Sequence, residues 1–197
     1  MVPFQYTGDA LWTRMERAVE NVIERLRKTA RILAADQIPY AVVGGHAVRV
    51  WVAQIDTAAV RTTKDVDILI RPVDLPRMIE AMENAGFFYR QTTGLDMFVE
   101  QKDASARDAV HVVLSGQMVR EDDYEPNPDL DQLQSTDEFY TLPLEVLVRM
   151  KLNSFRLKDR VHLVDMIEIG LIDNTWPNKF PEPLAARLQQ LLDDPDA

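Results

Sequence analysis

The stretch YAVVGGHAVRVWVAQIDTAAVRTTKDVDILIR, residues 40–71, decides the fold of this chain. Its apolar, β-branched start predicts a strand over Tyr40–Val43, and the glycine pair that follows predicts a turn. A helical pattern covers His46–Gln54, and a polar loop separates it from a second predicted strand over Val66–Ile70. Strand, glycine turn, helix and strand together make one α/β unit.

Two acidic residues stand at the start of the second predicted strand. Because side chains alternate between the two faces of a strand, Asp65 and Asp67 point to one face, and Val66, Ile68 and Ile70 point to the other. Carboxylate oxygens are the ligands that Mg²⁺ prefers. The sequence therefore predicts a metal-binding pair, the alternative being two solvated acids.

The glycine pair Gly44-Gly45 is suited to binding phosphate. Glycine lets the backbone approach a ligand closely, and the N–H groups at a helix start attract anions; the alternative is a tight turn only. His46 either caps the helix or lies near the pocket, and Arg61 either closes over phosphates or pins its loop to an acid. A phosphate site beside a metal-binding pair predicts nucleotide chemistry.

The bulk composition argues against several other classes of protein. The chain has 197 residues, a formal net charge of −10 and no cysteine, so we expect neither disulfides nor thiolate metal sites. General DNA or RNA binding depends on neutralising phosphates with Lys and Arg, which an acidic chain does not favour. We also expect a cytoplasmic protein with no membrane partner, because no signal-peptide pattern and no apolar run of about 20 residues is present.

Four segments are expected along the chain. A long amphipathic helix over Asp9–Ala35 belongs to an N-terminal segment, 1–37, that packs on the core. The core spans 38–120, an acidic solvated loop with a short strand spans 121–141, and a C-terminal helical segment spans 142–197. The expected fold class is α/β (α+β): a small mixed sheet flanked by helices, which we place on one side of the sheet.

Gly44-Gly45, Arg61-x-Thr63 and Asp65-Val66-Asp67, in this order, resemble the motif of the nucleotidyltransferase-fold superfamily. This superfamily includes polymerase-β-like enzymes, the minimal nucleotidyltransferases and the abortive-infection-type toxins, and Arg61-x-Thr63 is similar to the toxin-type members. The resemblance implies an NTP substrate and two Mg²⁺ ions held by Asp65 and Asp67. It also implies that Gly44, Gly45, His46 and Arg61 contribute to nucleotide binding.

The chain departs from this family at its third acid, which the resemblance places in the strand predicted over Ala109–Leu114. The matching position is His111, and Asp108 lies three residues away, on the opposite face of a regular strand. An imidazole can act as general base near neutral pH but is a poorer Mg²⁺ ligand than a carboxylate. We therefore expect His111 to be the third catalytic residue, in an enzyme whose activity is retained, altered or lost.

A second cationic feature follows in the C-terminal segment. Related nucleotidyltransferases carry a helical lysine that reaches the nucleotide phosphates, and Lys151 is the best match; a solvated helix face is the alternative. On one helix, Lys151, Phe155 and Lys158 would share a face. Arg156, Lys158 and Asp159 are expected to form an ion-pair cluster at the helix junction.

Two functional hypotheses follow. The first is Mg²⁺-dependent transfer of a nucleotidyl group from an NTP to an acceptor hydroxyl on RNA or protein. The resemblance extends it to a toxin–antitoxin or phage-defence role with an antitoxin-like protein partner. The second is a catalytically degenerate module that binds a nucleotide or a protein. His111 favours the module, whereas the pair Asp65 and Asp67 disfavours it.

Overall fold

The computed structural model describes residues 5–92, 94–105, 108–121 and 123–195. The other positions, among them Asp122 of the acidic loop and both ends of the chain, lie outside the described residues. The helices are α1 (Asp9–Ala35), α2 (Gly44–Ala53), α3 (Leu75–Asn84), α4 (Leu144–Ser154), α5 (Leu157–Glu168) and α6 (Glu182–Asp193). The strands are β1 (Tyr40–Val43), β2 (Val66–Ile70), β3 (Phe88–Thr92), β4 (Leu95–Val99), β5 (Ala109–Leu114), β6 (Gln134–Ser135) and β7 (Tyr140–Thr141).

The strands form one mixed sheet in the order β3-β4-β5-β2-β1-β7-β6. At its centre β2 runs antiparallel to β1 and parallel to β5. The starts of β2 and β5 therefore lie at the same edge of the sheet, where Asp67 is paired in register with His111. This topology brings two of the predicted site residues together although they are far apart in sequence.

Helices cover both faces of the sheet, so the expectation of helices on one side is wrong. On one face, α1 and α3 pack against β1 and β2 residues such as Val42 and Ile68. On the other face, α2, α4, α5 and α6 pack against alternate residues such as Val43 and Leu69. The physical reason is that all four β1 residues are buried, and a strand apolar on both sides needs cover on both sides.

The C-terminal helices break between α4 and α5. Phe155 has a φ of +44°, in the left-handed region that ends a helix. Asp159 accepts hydrogen bonds from the Ser154 hydroxyl at 2.8 Å and from Arg156 Nε at 2.9 Å, which fixes the junction. Lys151 and Lys158 thus lie on different helices, and the predicted shared face with Phe155 is wrong.

The acidic loop is anchored rather than merely solvated. The Asn153 side chain accepts hydrogen bonds from the backbone of Tyr124 and Glu125 and donates one to the Glu125 carbonyl oxygen. Arg71 pairs with Asp129 and Asp131 farther along the loop. Its last part forms β6 and β7 at the sheet edge. Within the part of the chain described, no helix combines the length and apolar character needed to cross a membrane.

Candidate functional site

Asp67 lies directly against the glycine turn. Because β1 pairs with β2 in the register Val43↔Asp67, the Asp67 side chain lies beside the end of β1 and the start of α2. A Cβ atom on Gly44 would overlap the Asp67 carboxylate Oδ2 and lie 2.8 Å from its Cγ. Gly44 also has a φ of +66°, which a side chain disfavours. Only glycine lets the helix start and the acid meet here.

The second glycine holds the loop that precedes Asp65. A Cβ atom on Gly45 would come within 2.7 Å of Thr63 Oγ1, so the loop around Thr63 packs on the first turn of α2. The helix itself begins at Gly44, earlier than the predicted start at His46. Both glycines therefore belong to the helix N-terminus, where backbone N–H groups are not used within the helix.

Asp65 stands immediately before β2 and is more exposed than Asp67. Its Oδ2 lies 3.7 Å from the Nζ of Lys158, near the start of α5. The Lys158 charge also acts on Asp67, so the same ammonium group lies close to both acids. The sequence predicts a local cluster of Lys158 with Arg156 and Asp159. In the structure Lys158 pairs with Asp65 instead.

His111 is the neighbour of Asp67 across the β2–β5 pair. Its Nδ1 lies 3.5 Å from Asp67 Oδ1, and both side chains are largely buried. Burial alone would favour the neutral acid, but the hydrogen bond from His111 and the charges of Lys158 and Lys151 outweigh it. Together they hold the pKa of the Asp67 carboxyl below its ordinary value. Asp67 is therefore an anion at neutral pH.

His46 does not cap α2, since no side-chain hydrogen bond caps this helix. It is only 4% exposed, and its buried Nε2 has no hydrogen-bond partner. Burial and the nearby Arg49 lower the pKa of His46 to about 4, against the opposing charge of Asp67. Of the two roles considered, the structure places His46 next to the site as a neutral imidazole.

Arg61 pins its loop to an acid, which was one of its two alternatives. Its Nε donates to both carboxylate oxygens of Asp165 in α5, at 2.9 and 2.7 Å. The loop that leads into Asp65 is therefore tied to α5. A cavity of about 10 Å³, room for about one water, lies beside this pair and is lined by Gly45, Thr63 and His162 among others.

Lys151 is buried, so the solvated-face alternative does not hold. Its Nζ donates to Asp159 Oδ1 at 2.8 Å. Burial opposes ionisation of Asp159, but Lys151 and Arg156 lower its pKa to about 2. Lys151 thus lies behind the site, where its charge still acts on Asp67, with its ammonium engaged by Asp159.

Two larger grooves of the molecule lie away from these residues. One, of about 430 Å³, is bounded by α4 and the acidic loop, and one, of about 520 Å³, by α2 and residues 134–139. Neither is lined by a predicted site residue. Across the described ranges, no group of three or more His, Asp and Glu side chains is arranged to hold a metal ion, so the candidate metal ligands are a pair of carboxylates.

Comparison with known proteins adds information on the fold. No protein-family model matches the sequence, and no curated protein is a significant match. An antigenic nucleotidyltransferase-like protein from Paracoccidioides brasiliensis matches with a TM-score of 0.57 and 15% identity, over 90% of each chain. The antibiotic-resistance factor ANT(2'')-Ia matches with a TM-score of 0.51 and 10% identity, over 88% of this chain and 90% of that one.

JHP933 from Helicobacter pylori is a third solved structure of similar shape. It has a TM-score of 0.51 and 16% identity, over 90% of this chain and 75% of the other. At such identities the likeness concerns the fold alone. The chain therefore has the nucleotidyltransferase fold.

Proposed function

We propose that this protein is a Mg²⁺-dependent nucleotidyltransferase that moves a nucleotidyl group from an NTP to an acceptor hydroxyl. The observation that carries the proposal is the contact between the Asp67 carboxylate and Gly44. The contact brings an ionised carboxylate to the N-terminus of α2, and this proximity supports a metal-bound phosphate at this position. Asp65, whose Oδ2 lies 3.7 Å from the lysine whose charge also acts on Asp67, would supply a second carboxylate.

The residues present fit a magnesium ion. Mg²⁺ is commonly bound through one or two carboxylates together with substrate phosphates, rather than by a closed protein cage. Asp67 is ionised at neutral pH, and Asp65 is partly exposed. Asp65 and Asp67 would hold the metal, which neutralises charge on the phosphates and orients them when bound.

The start of α2 would hold the triphosphate. The first backbone N–H groups of this ten-residue helix and the positive end of its dipole favour an anion. Gly44 and Gly45 leave no side chain between backbone and ligand. Of the other predicted nucleotide-binding residues, His46 lies next to this position and Lys151 lies behind it. Arg61 bonds to Asp165 and in this way positions the loop that leads to Asp65.

His111 would accept the proton of the attacking hydroxyl. Its Nδ1 faces Asp67 Oδ1, so the neutral tautomer that donates from Nδ1 makes Nε2 the basic nitrogen. A carboxylate that holds one ring nitrogen orients the imidazole for proton transfer at the other. In this arrangement His111 replaces the third acid of the family as the base.

The acceptor is proposed to be a hydroxyl of RNA or protein, in a toxin–antitoxin or phage-defence pair with an antitoxin-like protein. The support for this part is the motif resemblance of Gly44-Gly45, Arg61-x-Thr63 and Asp65-Val66-Asp67. The wider proposal of nucleotidyl transfer has additional support from the fold neighbours.

The test is transfer of label. Purified protein is incubated with Mg²⁺, each α-labelled NTP and fractions of cell RNA and protein, and labelled acceptors are detected. Asp67→Asn should abolish labelling. Asp96→Asn is the matched control, because Asp96 is a buried aspartate on β4 paired with Val112, on the opposite face of the sheet. Absence of labelling with every NTP and fraction would contradict the proposal.

A second candidate is a degenerate module that binds a nucleotide without transferring it. The contact of His111 with Asp67, where the family has a carboxylate, favours it. Such a module should bind a nucleotide in calorimetry, and the binding should survive Asp67→Asn. Nucleotide binding that disappears with Asp67→Asn would reject this candidate.

A further inference from the structure

Lys158 forms an ion pair with Asp65 at the edge of the candidate site. Its Nζ lies 3.7 Å from Asp65 Oδ2, and the two side chains are 51% and 36% exposed. Its charge also reaches Asp67. The ammonium group therefore lies next to one of the two proposed metal ligands and within electrostatic range of the other.

Two of the neighbouring cations, Lys151 and Arg61, have closer contacts with other acids. Lys151 is buried and donates to Asp159 at 2.8 Å, and Arg61 donates to both oxygens of Asp165. The Lys158–Asp65 pair is longer and more exposed, and exposed ion pairs of lysine are weak. A lysine is also a flexible point charge that can change partners. Lys158 can therefore leave Asp65 without disturbing the helix junction.

The following inference rests on the proposed function. We propose that Lys158 is a placeholder cation, that is, a side chain whose charge neutralises Asp65 until the metal ion binds. In the empty protein it neutralises Asp65; when Mg²⁺ and the nucleotide bind, the ion takes over Asp65 and the ammonium moves to the triphosphate. A cation therefore faces Asp65 at both stages, first the ammonium and then the metal ion. Lys158 thus opposes a metal that binds alone and supports a nucleotide.

A coupling between the two ligands follows. A metal that binds alone must displace Lys158, and a nucleotide that binds alone draws Lys158 away and leaves Asp65 without its partner. When both bind, the exchange occurs only once. Metal and nucleotide should therefore strengthen each other's binding, by the same factor in each direction.

Lys158→Gln separates the two effects. Mn²⁺, which prefers the same oxygen ligands as Mg²⁺, is titrated alone and followed by electron paramagnetic resonance. A non-hydrolysable ATP analogue is titrated separately by calorimetry in EDTA. We expect the variant to bind Mn²⁺ about two- to fivefold more tightly and the analogue about two- to fivefold more weakly, the range that one exposed ion pair represents.

Two further variants control for charge and folding. Lys64→Gln removes the same charge from an exposed lysine adjacent to Asp65 in sequence, and it should leave both affinities within twofold of the wild type. Lys158→Arg keeps the charge and should resemble the wild type in both titrations.

The possible outcomes separate the inference from the proposed function. Wild-type protein that binds neither Mn²⁺ nor the analogue overturns both. Wild-type binding combined with a Lys158→Gln variant whose two affinities fall together, or do not change, overturns the placeholder role alone. A Lys64→Gln variant with the same opposite shifts also overturns it, because the effect would then come from net charge.

Discussion

The carboxylate of Asp67 occupies the space that a side chain on Gly44 would fill. This contact joins the end of β1, the start of α2 and the second residue of β2 in one place. It explains why the glycine is needed on two independent grounds, the positive φ of +66° and the proximity of the acid. The two grounds can be separated by mutation.

Gly44→Ala should destabilise the protein more than Gly116→Ala. Gly116 has a similar φ of +69°, but a Cβ atom there would meet nothing within 4 Å, so its substitution measures backbone strain alone, about 1–2 kcal/mol. Gly44→Ala adds overlap with Asp67, which costs roughly 1–3 kcal/mol more. Urea denaturation gives both values.

The Gly44→Ala substitution should also cost less in an Asp67→Ala background than in the wild type, because the overlapping oxygens are gone. Equal costs of Gly44→Ala and Gly116→Ala, with no coupling to Asp67, would show that the two groups are not in contact.

The buried pair Lys151–Asp159 should behave as a unit. Removal of one partner leaves the other charge buried, and such changes typically cost about 3–5 kcal/mol. Lys151→Met and Asp159→Asn should each show this loss in denaturant titrations, and the double variant should lose less than their sum. Arg71→Gln, at the exposed pair with Asp129, is the control and should change stability little. Additive losses at Lys151 and Asp159 would contradict the ion pair.

Stability should fall as the pH is lowered from about 6.5 to about 4. Burial and the charges of Lys151 and Lys158 lower the pKa of His162 from 6.5 to about 4, although Asp159 and Asp165 oppose this shift. The pKa of His46 is also lowered to about 4. The unfolded chain then binds protons at a higher pH than the folded one, which favours unfolding in this window. Each histidine contributes on the order of 1–3 kcal/mol.

Chemical denaturation at a series of pH values measures this effect. His162→Gln should flatten the slope of unfolding free energy between the two pH values. If the slope is unchanged in both His162→Gln and His46→Gln, the histidines are not buried in the neutral form.

His111→Asp should lower the stability of the metal-free protein and strengthen its binding of Mg²⁺. The new carboxylate would face Asp67, whose Oδ1 lies 3.5 Å from His111 Nδ1 in the wild type, and like charges at this distance repel. We therefore expect a lower melting temperature in EDTA and a larger rise with Mg²⁺ than in the wild type. His111→Asn, which adds no charge, should show neither. Labelling activity that appears only in His111→Asp would identify the natural chain as the degenerate module.

Local patterns in the sequence predict much of the fold. The bounds of α1, β1, β2 and β5 follow from apolar periodicity and from turn signals, and they agree with the structure. Alternation along the second strand also predicts that Asp65 and Asp67 share a face. These features depend on residues close together in the chain.

The ion pairs around the site could not be predicted in the same way. Arg61 meets Asp165, and Lys158 meets Asp65, across distances in sequence that only the packing of α5 on the sheet determines. The pattern equally allowed Arg61 to face a phosphate. The break at Phe155, a non-glycine residue with positive φ, carries no glycine or proline signal, so the sequence pattern predicts Lys151 and Lys158 on one helix.

The central claim is that Asp65, Asp67 and the glycine turn together hold a metal-bound triphosphate. A crystal structure with Mg²⁺ and a non-hydrolysable NTP tests it most directly. We expect Mg²⁺ on the carboxylates of Asp65 and Asp67, the phosphates at the backbone N–H groups of Gly44 and Gly45, and Lys158 turned from Asp65 toward the phosphates. A nucleotide bound in another part of the molecule, or no nucleotide at saturating concentration, would contradict the account.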